Sequence, residues 1–357
     1  MIVHRNAIWP LYSTTWKRKS SIFKSCSPMG QIVTKKQTRK ALMRVVKCSA
    51  SAIGLYNHCP FSYFMHYILG MESKAGKAAL QGTIVHQALE WMTKLRKRGK
   101  TNVDPMWLLH RAWDEHTAAT PEISIRKVTT RIDKETGEFK EAADFKKCRV
   151  ALETVLNDPY YNPYKIKPID SERWFALEMP GEEWQCLDKD GKLHQFAVRG
   201  FIDLVHEIDE DTIEIADWKT GSRKDFYTQQ PIDEALLMRE VQPRLYHLAA
   251  YFLYPQYKNI LITFYYTNDG GPITIALSQD DLAMTIAGLH RFFTTIRRDT
   301  LMRRNRWWTC RMCSFNNNGV CHRVWSDLHT LGGEYVEDRY ANLDLEGQLA
   351  IGKPVEA

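Results

Sequence analysis

Residues 198–221 read VRGFIDLVHEIDEDTIEIADWKTG. Two apolar, β-branched runs, 198–208 and 212–218, flank the polar turn Asp209-Glu210-Asp211. Strand-forming runs on either side of turn residues spell a β-hairpin. One acid, Asp203, sits inside the first run between Ile202 and Leu204, and a second, Asp217, follows Ile215 and Ala216. Acids embedded in apolar strands lose their water and need partners. The hairpin brings Asp203 and Asp217 together near one end, where two carboxylates repel unless a cation lies between them. Lys219 stands two residues after the second acid and shares its strand face, because side chains alternate with period two. Two carboxylates and an ammonium around one point are the groups needed for metal-assisted attack on a phosphodiester. The plainer alternative is a hairpin with solvated acids at its turn.

Working outward, residues 76–98 show the clearest helical period, with Val85, Ala88, Leu89, Met92 and Leu95 on the apolar face. Gly82 and His86 are four apart and share a face; the glycine permits close approach of another backbone. A helical histidine alone is more often packed or solvated than ligating. Residues 171–187 hold a strand that carries the acids Glu172 and Glu178. Gln242-Pro243-Arg244-Leu245-Tyr246 opens a helix running to Tyr254, since proline is tolerated in a first turn. Gln242 and Tyr246, four apart, face one side. Residues 258–267 and 272–278 form a second hairpin. A long amphipathic helix over 279–304 ends in Arg297, Arg298, Arg303 and Arg304, which read equally as a DNA-facing patch and as a solvated helix end.

Eight cysteines stand at 26, 48, 59, 148, 186, 310, 313 and 321. Cys310 and Cys313 form a CxxC pair, with Cys321 following, a good metal signal that needs a fourth ligand. His322 would complete a Cys3His zinc site. Cys59, in the Cys59-Pro60 pair of the helical segment 49–70, would instead complete a four-thiolate set. Four thiolates suit iron–sulfur and zinc alike.

In order along the chain these motifs are Cys59-Pro60, Gly82-x-x-x-His86, Gly200-x-x-Asp203, Asp217-Trp218-Lys219-Thr220-Gly221, Gln242-x-x-x-Tyr246 and Cys310-x-x-Cys313 with Cys321. Together they resemble the PD-(D/E)xK nuclease superfamily, specifically its RecB-type, CRISPR-associated iron–sulfur exonuclease-like branch, with a phage among the sources the resemblance admits for the chain. The resemblance implies an α/β fold: a restriction-endonuclease-like core, a small mixed β-sheet flanked by helices, with a helical insertion and a C-terminal Cys cluster. It implies that Asp203, Asp217 and Lys219 are catalytic, and makes Glu172 and Glu178 the two candidates for an assisting acid on the strand 171–187. One or two Mg or Mn ions would be held by His86, Asp203, Asp217 and the carbonyl of Trp218. Gln242 and Tyr246 would bind substrate. Cys59, Cys310, Cys313 and Cys321 would bind a [4Fe-4S] cluster, with structural zinc as the alternative. The implied activity is that of a deoxyribonuclease, an exonuclease on single-stranded DNA ends in repair, recombination or phage DNA processing. The implied partners are DNA and a helicase or a recombination or integration protein. The alternative is a non-catalytic DNA-binding or scaffolding subunit of a recombination or CRISPR-adaptation complex. No G-x-x-x-x-G-K-[ST] is present, so the chain carries no ATP motor motif.

The domain reading follows. Residues 1–48 form a basic, disordered arm, 49–325 the nuclease domain with 99–170 a helical insertion and 307–325 the Cys cluster closing on Cys59, and 326–357 a loose tail. Residues 1–71 contain no Asp or Glu and eleven Lys and Arg. Subtracting those eleven from the net charge of +7 leaves the rest at −4. A nucleic-acid footprint in the body is therefore a local patch rather than a global field. The arm is open to three readings: a nucleic-acid-binding tail, a transit peptide, or sequence upstream of a start at Met29. No apolar run approaches the ~20 residues of a membrane span, and no signal peptide is recognised, so the expected compartment is the cytoplasm of a bacterial or phage-infected cell.

Overall fold

The computed structural model describes residues 45–352, except 74, 189, 226, 227, 301, 306 and 307. The basic stretch 1–44, Trp307 of the Cys segment and the last five residues of the expected tail lie outside the described residues.

In chain order the elements are β1 (Lys47–Cys48), α1 (Ala50–His58), α2 (Pro60–Tyr63), α3 (Lys77–Lys97), α4 (Pro105–Ala119), β2 (Val128–Ile132), β3 (Phe139–Glu141) and α5 (Ala143–Asn157). Next come β4 (Pro168–Glu178), β5 (Gln185–Leu187), β6 (Leu193–Gln195), β7 (Ala197–Asp209), β8 (Thr212–Lys219), α6 (Glu234–Leu237), α7 (Val241–Leu253), β9 (Asn259–Tyr266) and β10 (Gly271–Ala276). The chain closes with α8 (Gln279–Arg298), α9 (Ser314–Asn317), α10 (Val320–Thr330), α11 (Gly333–Tyr340) and α12 (Leu345–Gly352). The main sheet runs β1-β7-β8-β9-β10, with β4 also pairing β7. β7 and β8 are antiparallel, β8 and β9 parallel, β9 and β10 antiparallel. This is the small mixed sheet with flanking helices expected from the sequence.

The described residues divide into two compact units. The larger holds residues 75–175 and 201–278. Its central strand β8 is buried at seven of eight positions, as a strand covered on both faces must be. Buried acids on it need partners: Glu214 pairs with His206 at 2.9 Å and accepts from the Tyr161 hydroxyl at 2.8 Å. The parallel β8–β9 pair requires a crossover, which α6 and α7 supply. Leu80, Ile84, Val85, Ala88, Leu89 and Met92 on α3 share one core with α4, α5 and with Leu204, Ala216 and Trp218 of the hairpin. The stretch expected to be a helical insertion thus contains α4 and α5, but also an exposed ribbon, β2–β3. The helices belong to the core that backs the hairpin.

The other unit holds the described residues up to 73, 176–200, and those from 279 onward. Phe61, Met65, Leu69, Phe315, Val324, Val336 and Tyr340 form its core, with Cys59, Cys313 and Cys321 packed against it. Val45 and Cys48, read as the end of the arm, are buried, and β1 pairs parallel with Ala197 and Val198. The stretch 326–352 is not a loose tail. It folds as the end of α10 with α11 and α12. Asn342 donates to the Leu69 carbonyl, and the Gln348 amide donates to that of Glu72. Its buried anchors Val336 and Tyr340 stand one helical turn apart on α11. Gly332, which suggested looseness, sits at φ 90° as the turn into α11.

Candidate active site

The hairpin β7–β8 carries the acids in the larger unit. Its register sets Leu204 opposite Ala216, and one further step places Asp203 across from Asp217. The Trp218 N–H donates to Asp203 Oδ2 at 3.0 Å. Asp217 is almost wholly buried, 2% exposed. Burial, followed by the charge of Asp217, pushes the Asp203 carboxyl up to about 7, against the lowering effect of His86. Two carboxylates here cannot both carry charge near neutrality without a cation.

The cation at hand is Lys219. Its Nζ lies 2.5 Å from Asp217 Oδ2, donates to Gln242 Oε1 at 2.9 Å, and sits 4.5 Å above the centroid of the Phe264 ring. Asp217 Oδ2 accepts no well-directed hydrogen bond, so Lys219 meets it as an ion pair. The other oxygen, Oδ1, accepts from the Tyr246 hydroxyl at 2.7 Å and from Gln242 Nε2 at 2.9 Å. Gln242 also donates to the Tyr246 oxygen at 2.7 Å. The Pro243-bearing first turn of α7 presents both side chains, four residues apart. Gln242 and Tyr246 therefore bond to the acid and the lysine themselves, where the sequence pointed them at substrate.

Helix α3 delivers His86, whose Nδ1 is 3.3 Å from Asp203 Oδ2. Gly82, one turn earlier, explains how the helix comes so near. A Cβ there would meet Thr220 Oγ1 at 3.0 Å, in the loop directly after Lys219. The basic end of this helix is engaged in structure: Lys94 pairs with Glu90, Arg96 donates to the Ile166 carbonyl and Lys97 to that of Ile169.

Of the two candidate acids on β4, Glu172 joins the site and Glu178 stands exposed. One ligand atom from each of His86, Glu172 and Asp203 lies within 4.8 Å of the other two. Burial raises the Glu172 carboxyl above its ordinary range, reinforced by Glu90. Its backbone adopts φ 49°, a left-handed conformation that a non-glycine residue holds at a cost and that clusters at functional sites. An acid near the strand start was the only sequence signal; the turned backbone that aims it was not readable. Two carboxylates and an imidazole crowded together, one carboxyl driven towards neutrality, fit a hard or borderline divalent cation such as Mg or Mn. Asp217 stands outside the 4.8 Å group, held by Tyr246, Gln242 and Lys219.

In the other unit the four cysteines expected to share a metal are free thiols. Cys321 is pushed up to about 11, mainly by burial, and also by Cys313 and Cys59. Cys313 is raised by burial and by Cys59 and Cys310. Cys59, Cys313 and Cys321 are thus within electrostatic reach of one another, and Cys310 of Cys313, yet no three of the four have sulfurs mutually within 4.8 Å among the described residues. His322, the alternative fourth ligand, is exposed. Arg304 lies 4.3 Å over the Trp325 ring and Arg297 4.5 Å over that of Phe293, so two of the four expected DNA-facing arginines are committed to packing.

No helix among the described residues is long and apolar enough to cross a membrane. No curated protein matches the chain. Among solved structures, a protein from Eubacterium rectale described as "Putative exonuclease" is 14% identical, with a TM-score of 0.42, over 75% of this chain and 86% of that one. The family model of the PD-(D/E)XK nuclease superfamily matches residues 47–322. That span takes in β1, the whole sheet, the acid cluster and all four cysteines, and the chain belongs to the PD-(D/E)XK nuclease superfamily.

Proposed function

We propose that the protein is a metal-dependent deoxyribonuclease that removes nucleotides from single-stranded DNA ends. The observation that carries the reading is the convergence of His86, Glu172, Asp203, Asp217 and Lys219 from three strands and a helix within one unit. His86, Glu172, Asp203 and Asp217, with the Trp218 carbonyl, would hold one or two Mg or Mn ions. Such an ion, when bound, supplies Lewis acidity, lowering the pKa of water and drawing charge from the phosphate. Lys219 keeps a positive charge at the point where the phosphate becomes more negative, and donates a hydrogen bond there. Tyr246 and Gln242 orient Asp217, and Gln242 also fixes the direction of the Lys219 ammonium. Buried walls on β8 and β9 keep bulk water from screening these charges.

Cys59, Cys310, Cys313 and Cys321 are assigned to a [4Fe-4S] cluster that ties the two ends of their unit together. Four thiolates suit zinc as well; the iron–sulfur assignment follows the resemblance of Cys59-Pro60 and Cys310-x-x-Cys313 with Cys321 to the iron–sulfur branch. The physiological setting we infer is DNA-end processing in repair, recombination or phage replication, alongside a helicase or recombination partner.

The test is digestion of single-stranded DNA labelled at either end, with Mg, Mn or EDTA, by wild type, Asp217→Ala and Lys219→Ala. Metal-dependent release of labelled mononucleotides by wild type alone is expected. Cleavage by Lys219→Ala at the wild-type rate would remove the central assignment. DNA binding without cleavage by any of the three would leave a scaffolding subunit.

A further inference from the structure

Beside the acids, the same two strands carry a second feature. Trp174 on β4 is 46% exposed and Phe201 on β7 is 53% exposed. Their rings are in contact, with centroids 5.0 Å apart and planes tilted by 48°. A single exposed aromatic is ordinary; two in contact beside an acid cluster offer a continuous apolar surface there. Each also stands two residues from a member of the acid cluster: Trp174 from Glu172, and Phe201 from Asp203. Side chains two apart on a regular strand share a face and lie roughly 7 Å from one another, which applies to Phe201 and Asp203; Glu172, at φ 49°, is turned off that alternation. The alternation is visible on β7, where Phe201 and Asp203 face one way and Ile202 and Leu204, both fully buried, face the other. On β4 the residue after Trp174, Phe175, is likewise buried. Arg173, exposed between Glu172 and Trp174, alternates to the other face, with its Nε 3.9 Å from Asp170 Oδ2.

We propose that Trp174 and Phe201 form a stacking platform for a nucleobase of an unpaired DNA strand, adjacent to the phosphate that the acid cluster engages. The proposal rests on the nuclease reading above. Every base has a π face, so stacking on aromatics holds a strand without regard to sequence. The 48° tilt means the two rings are not stacked on each other, which leaves ring surface for a base. A base flanking the scissile bond needs such a support within one nucleotide of the metal-binding acids, and a paired base, already stacked in a duplex, does not.

The test measures binding of a short single-stranded oligonucleotide by anisotropy in EDTA, and its KM and kcat with Mn. The proteins are wild type, Trp174→Ala, Phe201→Ala, the double variant, and the conservative pair Trp174→Phe and Phe201→Tyr. Each alanine variant is expected to weaken binding about tenfold and to raise KM with kcat little changed, and the conservative pair to restore most of it. An oligonucleotide with an abasic residue beside the cleaved bond should bind wild type about tenfold more weakly, yet cost the double variant nothing further. Unchanged binding and KM in the double variant, with wild type cleaving, would overturn the platform and leave the nuclease reading intact. Wild type that binds with the abasic penalty but never cleaves would sustain the platform and remove the nuclease reading. Wild type that binds no single strand, or a double variant that loses duplex binding equally, overturns the platform. Self-association of wild type abolished by the double variant, with DNA binding unaffected, would assign the patch to contact between copies and also overturn it.

Discussion

The Tyr246 hydroxyl donates to Asp217 Oδ1 at 2.7 Å, inside the protein, where neither group meets solvent. Together with Gln242 Nε2 it saturates one oxygen of the carboxylate and leaves the other to the Lys219 ammonium. Burial, followed by the charges of Asp217 and Asp203, holds the Tyr246 phenol well above its ordinary range, so it remains a donor throughout the physiological range. Tyr246→Phe removes that donor and keeps the ring. A hydrogen bond to a charged group contributes about 1.5–3 kcal/mol, and Gln242 still holds the carboxylate. We expect kcat to fall ten- to a hundredfold, with the circular dichroism spectrum unchanged. Wild-type kcat in this variant would show that Asp217 needs no such orientation.

Asp203 sets a pH dependence. Its folded value of about 7 lies above the ~3.9 of an unfolded Asp, so between the two the folded chain binds the extra proton. Stability of the metal-free protein is then greatest below about pH 4 in this contribution, and is lost as pH rises towards 7. A divalent cation favours the ionised carboxylate and opposes that loss. The melting temperature should therefore rise more on adding Mn at pH 8 than at pH 5, and Asp203→Asn should flatten the difference. Equal gains at both pH values would contradict the assignment of Asp203 to the metal.

Gly82 tests the approach of α3 to the loop after Lys219. Alanine would gain about 1 kcal/mol of helix propensity, but its Cβ would stand 3.0 Å from Thr220 Oγ1. The hydroxyl must move a few tenths of an ångström, so stability of Gly82→Ala should stay near wild type while activity declines severalfold. Gly82→Val adds two further carbons, and overpacking of about 1–3 kcal/mol should outweigh any gain, lowering the urea midpoint and abolishing activity. Full activity in the valine variant would mean that this contact does not position the site.

The C-terminal helices make a stability prediction. A Cβ on Gly352 would lie 1.7 Å from the Asn318 carbonyl oxygen, a backbone atom that cannot swing aside. Gly352→Ala should lower the melting temperature by several degrees, as a ΔΔG of 1–3 kcal/mol would. Truncation after residue 331 should do more, since it strips Val336 and Tyr340, both fully buried, from the core around Phe61. A truncated chain that melts with wild type would restore the reading of a dispensable tail.

The central hairpin was legible because local chemistry decides it: apolar β-branched runs, a turn of acids, and two further acids where water is scarce. The same applies to α3 and to the Pro243 start of α7. Glu172 was not separable from Glu178, since what selects it is a left-handed φ and the neighbours it meets. The substrate role of Gln242 and Tyr246 came from the resemblance; their spacing showed only a shared face, and it cannot say whether two side chains face a substrate or an acid 25 residues earlier. The stretch beyond 326 was misread because Gly332-Gly333 suggested looseness, although Val336 and Tyr340 stand one helical turn apart and the core they enter is built by distant residues.

By itself, the sequence determined which residues carry charge, where acids interrupt apolar strands, and which segments repeat every two or nearly four residues. Those properties depend on neighbours along the chain and are written there. Only the tertiary structure decided that Glu172 meets His86 and Asp203, that Tyr246 and Gln242 grip Asp217, and that Trp174 touches Phe201 in the open. Each of these joins residues that lie tens of positions apart, and their meeting depends on strand register, helix docking and one strained backbone angle, which the whole core fixes together.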